Sequence, residues 1–352
     1  MTDTSGLSNM THHRLEFVAS LTVCPSDIRK IQKHLSMAEH PLNPLRHVLI
    51  TPLFANRGSL DLVNEMSQRG TRVMFDSGGY YVQTGRVTYE ELFYPLLEVF
   101  LANPWAQTFV LPDNVPTGRD SDKEVAYKVS ETVRTSKLFF EYLPDDLKAR
   151  AMPVVHGRNQ RQIDECLSTY LTMGVSQIGF GSFGTMGTKN EVNVATQSAI
   201  ELATYVIKVA HQHNTRVHLF GLGVPAIAAM LKGIGADSFD SSSWLKAAGF
   251  GQVFLPFMRA HNITYKSSIS ELQKGITEDD FEELKHITGH TCNLCSNSDA
   301  LRSSKMYRAV HNLVVLAETV EMINGDELSK VRAIYKQGSP KYRNEVEKWL
   351  AN

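Results

Sequence analysis

Acidic residues recur in this chain where short apolar runs give way to glycine and serine. The three cases are Phe75-Asp76-Ser77-Gly78-Gly79-Tyr80, Leu111-Pro112-Asp113-Asn114 and Phe239-Asp240-Ser241-Ser242-Ser243. Carboxylates gathered at one rim can divide their work: one kept protonated supplies an acid, one kept ionised supplies a nucleophile. Around a sugar such a pair suits displacement at C1′, because a nearby anion stabilises an oxocarbenium-like centre. The glycines let backbone approach a flat ligand and offer N–H donors to it. Tyr80 and Phe220 are placed to stack on its two faces. Val155-His156-Gly157, Gly179-Phe180-Gly181-Ser182 and Phe220-Gly221-Leu222-Gly223 repeat the pattern and add His156, Gly181 and Gly221 to the candidate substrate residues, beside Ser77, Gly78, Tyr80 and Asp113.

Each member also has a plainer use. An Asp after a strand commonly caps the next helix, and the serines after Asp240 suit capping too. His156 alone reads as a satisfied core or turn histidine, and Tyr80 and Phe220 as packing residues. Asp-Ser-Gly-Gly resists the capping reading, because two glycines forfeit helix propensity just where a cap would help. The inference rests on the joint pattern.

A second cluster is of another kind. His290, Cys292 and Cys295 are followed, after fifteen residues, by His311. Two thiolates and two imidazoles at this spacing make a closed tetrahedral zinc site, which holds a fold together and leaves no coordination position for chemistry. The two remaining cysteines, Cys24 and Cys166, read as buried or half-buried thiols and give no disulfide framework.

Short apolar runs must position these groups. They are His47 to Phe54, Arg72 to Phe75, Thr108 to Leu111, Met152 to Val155, Ser176 to Phe180, Val217 to Phe220 and Ala236 to Phe239, with Gln252 to Leu255 as an eighth candidate. Such runs fit buried parallel strands. Amphipathic stretches between them, clearest at Ser121 to Tyr142 and Val192 to His213, are long enough for crossover helices. About eight β–α alternations point to an α/β fold, a (β/α)8 TIM-like barrel, with a doubly wound open sheet as the alternative. No GxGxxG follows the first strand to support a dinucleotide fold. In a barrel, reactive groups sit just past the C-terminal ends of strands, which is where the acids fall. After about residue 257 the pattern turns helical, with a start at Thr277-Glu278-Asp279-Asp280 and helices over Lys305 to Ile323 and Asp326 to Gln337. The expected organisation is a mobile arm over 1–14, a barrel over 15–257 and a zinc-binding helical subdomain over 258–352.

Composition narrows the class. The 352 residues are 42% apolar and 21% charged, with a formal net charge of −1, which argues against a strongly electrostatic, non-specific nucleic-acid binder. The polar first residues contain no signal-peptide core, and no apolar run approaches a membrane span. With few cysteines, the expected compartment is a reducing cytoplasm, that of a bacterial cell or a phage-infected host.

From about Val48 to Leu316 the chain resembles the tRNA-guanine transglycosylase superfamily. Asp76-Ser77-Gly78-Gly79-Tyr80 is similar to its Asp-Ser-Gly-Gly-aromatic signature, Phe220-Gly221-Leu222-Gly223-Val224-Pro225 to its Met-Gly-x-Gly-x-Pro turn, and Asp240 with Gly251-Gln252-Val253-Phe254 to its nucleophile segment. The zinc cluster with His311-Asn312-Leu313 is similar to its zinc module. The resemblance implies base exchange in nucleic acid on a modified TIM barrel, without a redox cofactor. Asp240 would be the nucleophile and Asp76 the general acid/base. Asp113 would read the base edge, with His156 standing where Gln is usual. Gly181 would meet the base carbonyl, and Tyr80 and Phe220 would form the sandwich. Structural zinc would sit on His290, Cys292, Cys295 and His311.

Departures from the tRNA enzymes carry information. His290 replaces the usual first zinc Cys, and the Cys-to-His interval is shorter. Ser243-Trp244-Leu245-Lys246 stands in place of a Pro-Thr-Arg run, and Gly249 in place of a second Arg. This pattern resembles the phage and bacterial DNA-guanine transglycosylases, which insert 7-deazaguanines into DNA. The expected partners are therefore DNA, or alternatively tRNA, and a free 7-deazaguanine base, with no membrane and a possible homodimer. Lys246, Arg119 and Lys189 are the first candidates for phosphate contacts, followed by Lys330, Arg332, Lys336, Lys341 and Arg343. A non-catalytic nucleic-acid-binding subunit is a further alternative, opposed by retention of both Asp76 and Asp240. A glycoside hydrolase would leave the zinc cluster unexplained.

Overall fold

The computed structural model describes residues 14–182, 196–264, 275–325, 328–338 and 347. Lys189, Lys341 and Arg343 lie outside these residues.

Nine short strands form one parallel sheet. They are β1 Glu16–Ser20, β2 His47–Ile50, β3 Arg72–Phe75, β4 Thr108–Val110, β5 Ala151–Met152, β6 Val154–Val155, β7 Gln177–Phe180, β8 Arg216–Leu219 and β9 Ser238–Ser241. Their order is β5-β4-β3-β2-β1-β9-β8-β7-β6. The two outermost members, β5 and β6, are one extended segment interrupted by Pro153. On one side the Met152 carbonyl accepts from Leu111 N (3.0 Å); on the other the Pro153 carbonyl accepts from Gly179 N (2.9 Å). A proline donates nothing to a ladder but its carbonyl still accepts. The segment therefore joins β4 to β7, and the sheet closes into an eight-stranded barrel.

Two readings from the sequence need correction. The missing strand is β1, Glu16–Ser20, and not Gln252 to Leu255. Only ten residues separate Ser241 from Gln252, whereas a parallel crossover needs about a dozen or more. Gln252–Val253 instead pairs antiparallel with His261–Asn262 in a separate two-stranded sheet. Cys24 is exposed rather than buried, because it precedes Pro25 at the surface start of helix Pro25–Ala38; Cys166 is buried.

Period-two alternation sorts the strands into two faces. Val18, Leu49, Met74, Val110, Met152 and Val154 form an apolar cluster inside the barrel, with Phe220 packed on it. The intervening residues, such as Phe17, Val48, Val73 and Phe109, join the larger core beneath the outer helices. The interior is uneven. β7, β8 and β9 contribute Gly179, His218, Ser238 and Asp240, which are small or polar, so that sector has room for the Phe220 ring and for hydrogen bonding.

Seven crossover helices follow the strands: Pro25–Ala38, Arg57–Gln68, Phe93–Ala102, Asp122–Tyr142, Gln160–Thr172, Gln197–Gln212 and Pro225–Gly233. Ser121 starts the longest with a capping box to Glu124. Beyond β9 lies the short helix Ser243–Gly249, and later Lys305–Asn324. The latter packs on β1 and on helices 25–38, 225–233 and 243–249, which is where an eighth crossover helix would lie. Thr277 opens helix Glu278–Thr288 with a capping box to Asp280.

Candidate active site

A cavity of about 260 Å³ opens at the C-terminal end of the strands. Asp76, Asp113, Asp240, Tyr80, Phe220 and Lys246 line it, as do His156, Gly181 and Gly221. Every one of these is a residue that the strand-end pattern singled out, except Lys246, which enters from helix 243–249.

Asp240 is buried and fully engaged. Its Oδ1 accepts from Gly221 N (2.7 Å), and its Oδ2 accepts from the Ser20 hydroxyl (2.6 Å). His218 Nε2 lies 3.5 Å from Oδ1. Burial pushes this carboxyl up, but the His218 ring beside it and the Ser20 and Gly221 donors outweigh it and hold Asp240 below the usual carboxylate range. It caps no helix: Ser242 precedes helix 243–249 and makes no side-chain cap bond.

Asp76 is shifted the other way. Burial and the neighbouring Asp113 carboxylate push it up to about 7, with Asp240 adding to the rise and the Thr51 hydroxyl and Gly78 N–H opposing it. Thr51 Oγ1 donates to Asp76 Oδ2 at 2.9 Å. Two carboxyls in one cavity are thus driven to opposite protonation states, which is what acid–nucleophile pairing needs.

Asp113 is bridged between two side chains. Ser77 Oγ donates to Oδ1 at 2.6 Å, and His156 Nε2 lies 2.8 Å from Oδ2. Ser77 and Gly78 do not line the cavity; they act from behind it, Ser77 on Asp113 and Gly78 N–H on Asp76 (3.3 Å). Close approach explains two glycines. A Cβ on Gly79 would stand 2.7 Å from Asp113 Oδ1, and one on Gly181 would stand 2.5 Å from His156 Cε1. Gly78 in addition has φ +91°, which L side chains rarely adopt.

Three contributors escaped sequence reasoning: Ser20, Thr51 and His218. Ser20 closes β1 and Thr51 follows β2, so the strand-end rule would have found them had β1 been recognised and hydroxyls been weighed with acids. His218 lies inside β8 and carries no such signal.

Of the charged candidates, Lys246 is exposed at the cavity wall. Arg119 is exposed on the loop before helix 122–142 and does not line the cavity.

The second cluster is assembled too. One ligand atom each from His290, Cys292, Cys295 and His311 lies within 4.8 Å of the others, so the group could hold a metal ion. The two Sγ atoms are 3.4 Å apart, and His311 Nε2 is 3.2 Å from Cys295 Sγ. His290 Nε2 is buried without a hydrogen-bond partner among the described residues, while Nδ1 is held by Glu318. A ring nitrogen orphaned toward two thiols, with a carboxylate fixing the other nitrogen, fits a metal-binding histidine and its outer support.

The fold and the cavity define a (β/α)8 enzyme with an acid cluster at the C-terminal end of the strands and a Cys2His2 group in its C-terminal part. The family model described as queuine tRNA-ribosyltransferase matches residues 106–325, and the chain belongs to that family. It is accordingly a transglycosylase, a pentosyltransferase of the guanine-exchanging kind. No curated protein matches the chain. Among the described residues no helix is long and apolar enough to cross a membrane.

Proposed function

We propose that the protein is a DNA-guanine transglycosylase that exchanges guanine in DNA for a free 7-deazaguanine through a covalent Asp240–glycosyl intermediate. The observation that carries the chemistry is that Asp240, held below the usual carboxylate range, and Asp76, pushed up to about 7, line one cavity.

The target nucleotide turns out of its stack into the cavity, since C1′ and the base faces are otherwise covered. Oδ2 of Asp240 attacks C1′, because its only partner among the described residues is a hydroxyl that can rotate away, whereas Oδ1 is fixed by a backbone amide. The C1′–N9 bond breaks, and the protonated Asp76 delivers its proton to the departing guanine. The incoming 7-deazaguanine then gives its N9 proton to Asp76, N9 bonds to C1′, and Asp240 leaves as carboxylate. One ester thereby divides a hard substitution into two easier ones. Asp113 and His156 read the base edge, the Gly181 and Gly221 backbones approach it, and Tyr80 and Phe220 cover its faces. Zinc on His290, Cys292, Cys295 and His311 would supply folding stability and no reactive position.

The preference for DNA rests on the segment after the nucleophile. Trp244 is fully buried, and its Nε1 donates to the Ser241 carbonyl (3.1 Å), so this position packs inward and cannot grip a polymer. Gly249 offers no side chain, which leaves Lys246 as the cation of this helix. The test is incubation with guanine-labelled DNA or tRNA and a 7-deazaguanine, followed by nucleoside mass analysis. Release and exchange on DNA are expected. Exchange on tRNA alone would assign the same chemistry to the other polymer.

A further inference from the structure

Among the described residues, His218 is the one buried ionisable side chain beside the proposed nucleophile that the chemistry above does not use. It is 3% exposed and projects into the barrel from the middle of β8. Its Nδ1 lies 2.8 Å from Ser238 Oγ on β9. Its Nε2 faces Asp240 Oδ1 at 3.5 Å and has no hydrogen-bond partner among the described residues. The Phe220 ring closes over it edge-on at 4.6 Å between centroids, with no side chain on Gly179 to obstruct that ring.

We propose that His218 is the positioning residue of the nucleophile: its Nε2–H, supported by Ser238 on the opposite nitrogen, keeps Asp240 ionised and commits Oδ1 so that Oδ2 is the attacking atom. This rests on the reading of Asp240 as nucleophile.

Two features of the surroundings give the pairing force. First, the contact lies between groups with little access to water, where an ion pair or charge-assisted hydrogen bond is screened least. Second, His218 also lines a separate polar cavity of about 170 Å³ at the opposite end of the barrel, shared with Glu16, His47, Arg72 and Arg216. The ring therefore borders that cavity on one side and on the other faces Asp240, which lines the active-site cavity.

The other groups near the pair do not supplant it. Burial, with Arg72 and His218 itself, pushes His47 down to about 3, so that ring stays neutral. Glu16 is occupied by Arg72 (3.0 Å) and Arg216 (3.5 Å). Around Asp240, Asp76 and Asp113 bring no positive charge, and Lys246 is exposed at the cavity wall. His218 is thus the basic side chain that the structure places against the carboxylate, at 3.5 Å. When the ester forms, Asp240 loses its charge and Oδ1 becomes the ester carbonyl oxygen. Gly221 N–H and His218 Nε2–H then face that oxygen and stabilise the carboxylate as it reappears in the second step.

The experiment is a carboxyl-carbon NMR titration of aspartate-labelled protein without any nucleic acid. Asp240 is assigned by Asp240→Asn, and wild type is compared with His218→Phe and His218→Asn. The Asp240 midpoint should rise by at least one pH unit in His218→Phe and return part of the way in His218→Asn, whose amide can still donate. By linkage, Asp240→Asn should lower the midpoint of the His218 ring, a reciprocal reading that needs no change at residue 218. An Asp240 midpoint equal in wild type and His218→Phe, or a His218 ring indifferent to Asp240→Asn, would overturn the proposal. A parallel single-turnover assay of adduct formation on DNA should show the acid limb moved to higher pH in His218→Phe. Coupled titrations without any adduct from wild type would sink the base-exchange reading and leave the pairing standing.

Discussion

Asp76 keeps its proton to near neutrality because it is largely withdrawn from water, half-buried beside a second carboxylate. Guanine departure needs that proton, so the rate of adduct formation should fall about tenfold per pH unit above about 7. Asp76→Asn should abolish that alkaline limb while lowering the rate at every pH. Stability carries the same signature. The folded carboxyl titrates at about 7 against an ordinary 3.8, so the stabilising contribution of its proton is full below 3.8 and is lost as pH rises through about 7. Asp76→Asn should therefore raise the thermal midpoint at pH 8 relative to wild type, and calorimetry at pH 5 and pH 8 checks the sign. Packing at this scale is equally specific. Gly181→Ala places a methyl 2.5 Å from His156 Cε1, which has to displace the ring that meets Asp113. Affinity for the free base should drop at least tenfold, read by calorimetric titration, with little change in DNA affinity. The acids were legible in the sequence because the rule that puts reactive groups past strand ends needs only local pattern. His218 was not, since a histidine inside a strand looks the same whether it faces solvent, core or nucleophile.

Among the elements, helix Lys305–Asn324 bears most on the site. It carries His311 into the Cys2His2 cluster, and the next residue, Asn312, is wholly buried and ties down the segment after the nucleophile. Asn312 Oδ1 accepts from Phe254 N (2.7 Å), and Nδ2 donates to the carbonyls of Trp244 (3.2 Å) and Gln252 (3.0 Å). Arg308, one turn earlier, donates twice to the Ala248 carbonyl, closing the C-terminal end of helix 243–249. Asn312→Ala removes all three of these hydrogen bonds and should cost about 3 kcal/mol, measurable as a shifted urea midpoint. Metal binding couples to the same helix. Cys292→Ser should release the one zinc expected per chain and melt the structure around residues 278–324, seen by metal analysis and hydrogen exchange. The zinc spacing could be read directly, because ligand chemistry demands particular residue types. The identity of the eighth outer helix could not, since fifty-five residues separate it from helix 243–249 and only packing reveals the join. The first strand was missed for a related reason: Glu16-Phe17-Val18-Ala19-Ser20 opens with a charge and ends in small residues, and the closure between β9 and β2 is what makes it a strand.

The whole molecule has a net charge of only −1, so polymer recognition has to come from local cations near the cavity rather than from a general field. Lys246 lines the mouth, and Lys246→Ala should reduce the salt dependence of DNA affinity by about 0.9 in log–log slope, the value expected when one fewer phosphate is neutralised. Arg119→Ala should leave that slope unchanged, because Arg119 stands away from the cavity. Fold class was within reach of the sequence, since eight alternations of β and α admit few architectures. Met152 to Val155 was legible as a strand too, but the way Pro153 splits it between β4 and β7 was not, because that depends on register.

Nucleophilic catalysis by Asp240 is tested most directly by the mass of the denatured protein after mixing with a guanine-containing DNA oligonucleotide in the absence of incoming base. A covalent species of protein plus oligonucleotide, less one guanine, is predicted for wild type and should be absent from Asp240→Asn. Persistence of that adduct in Asp240→Asn, or exchange into DNA by wild type with no adduct at any time point, would contradict the account.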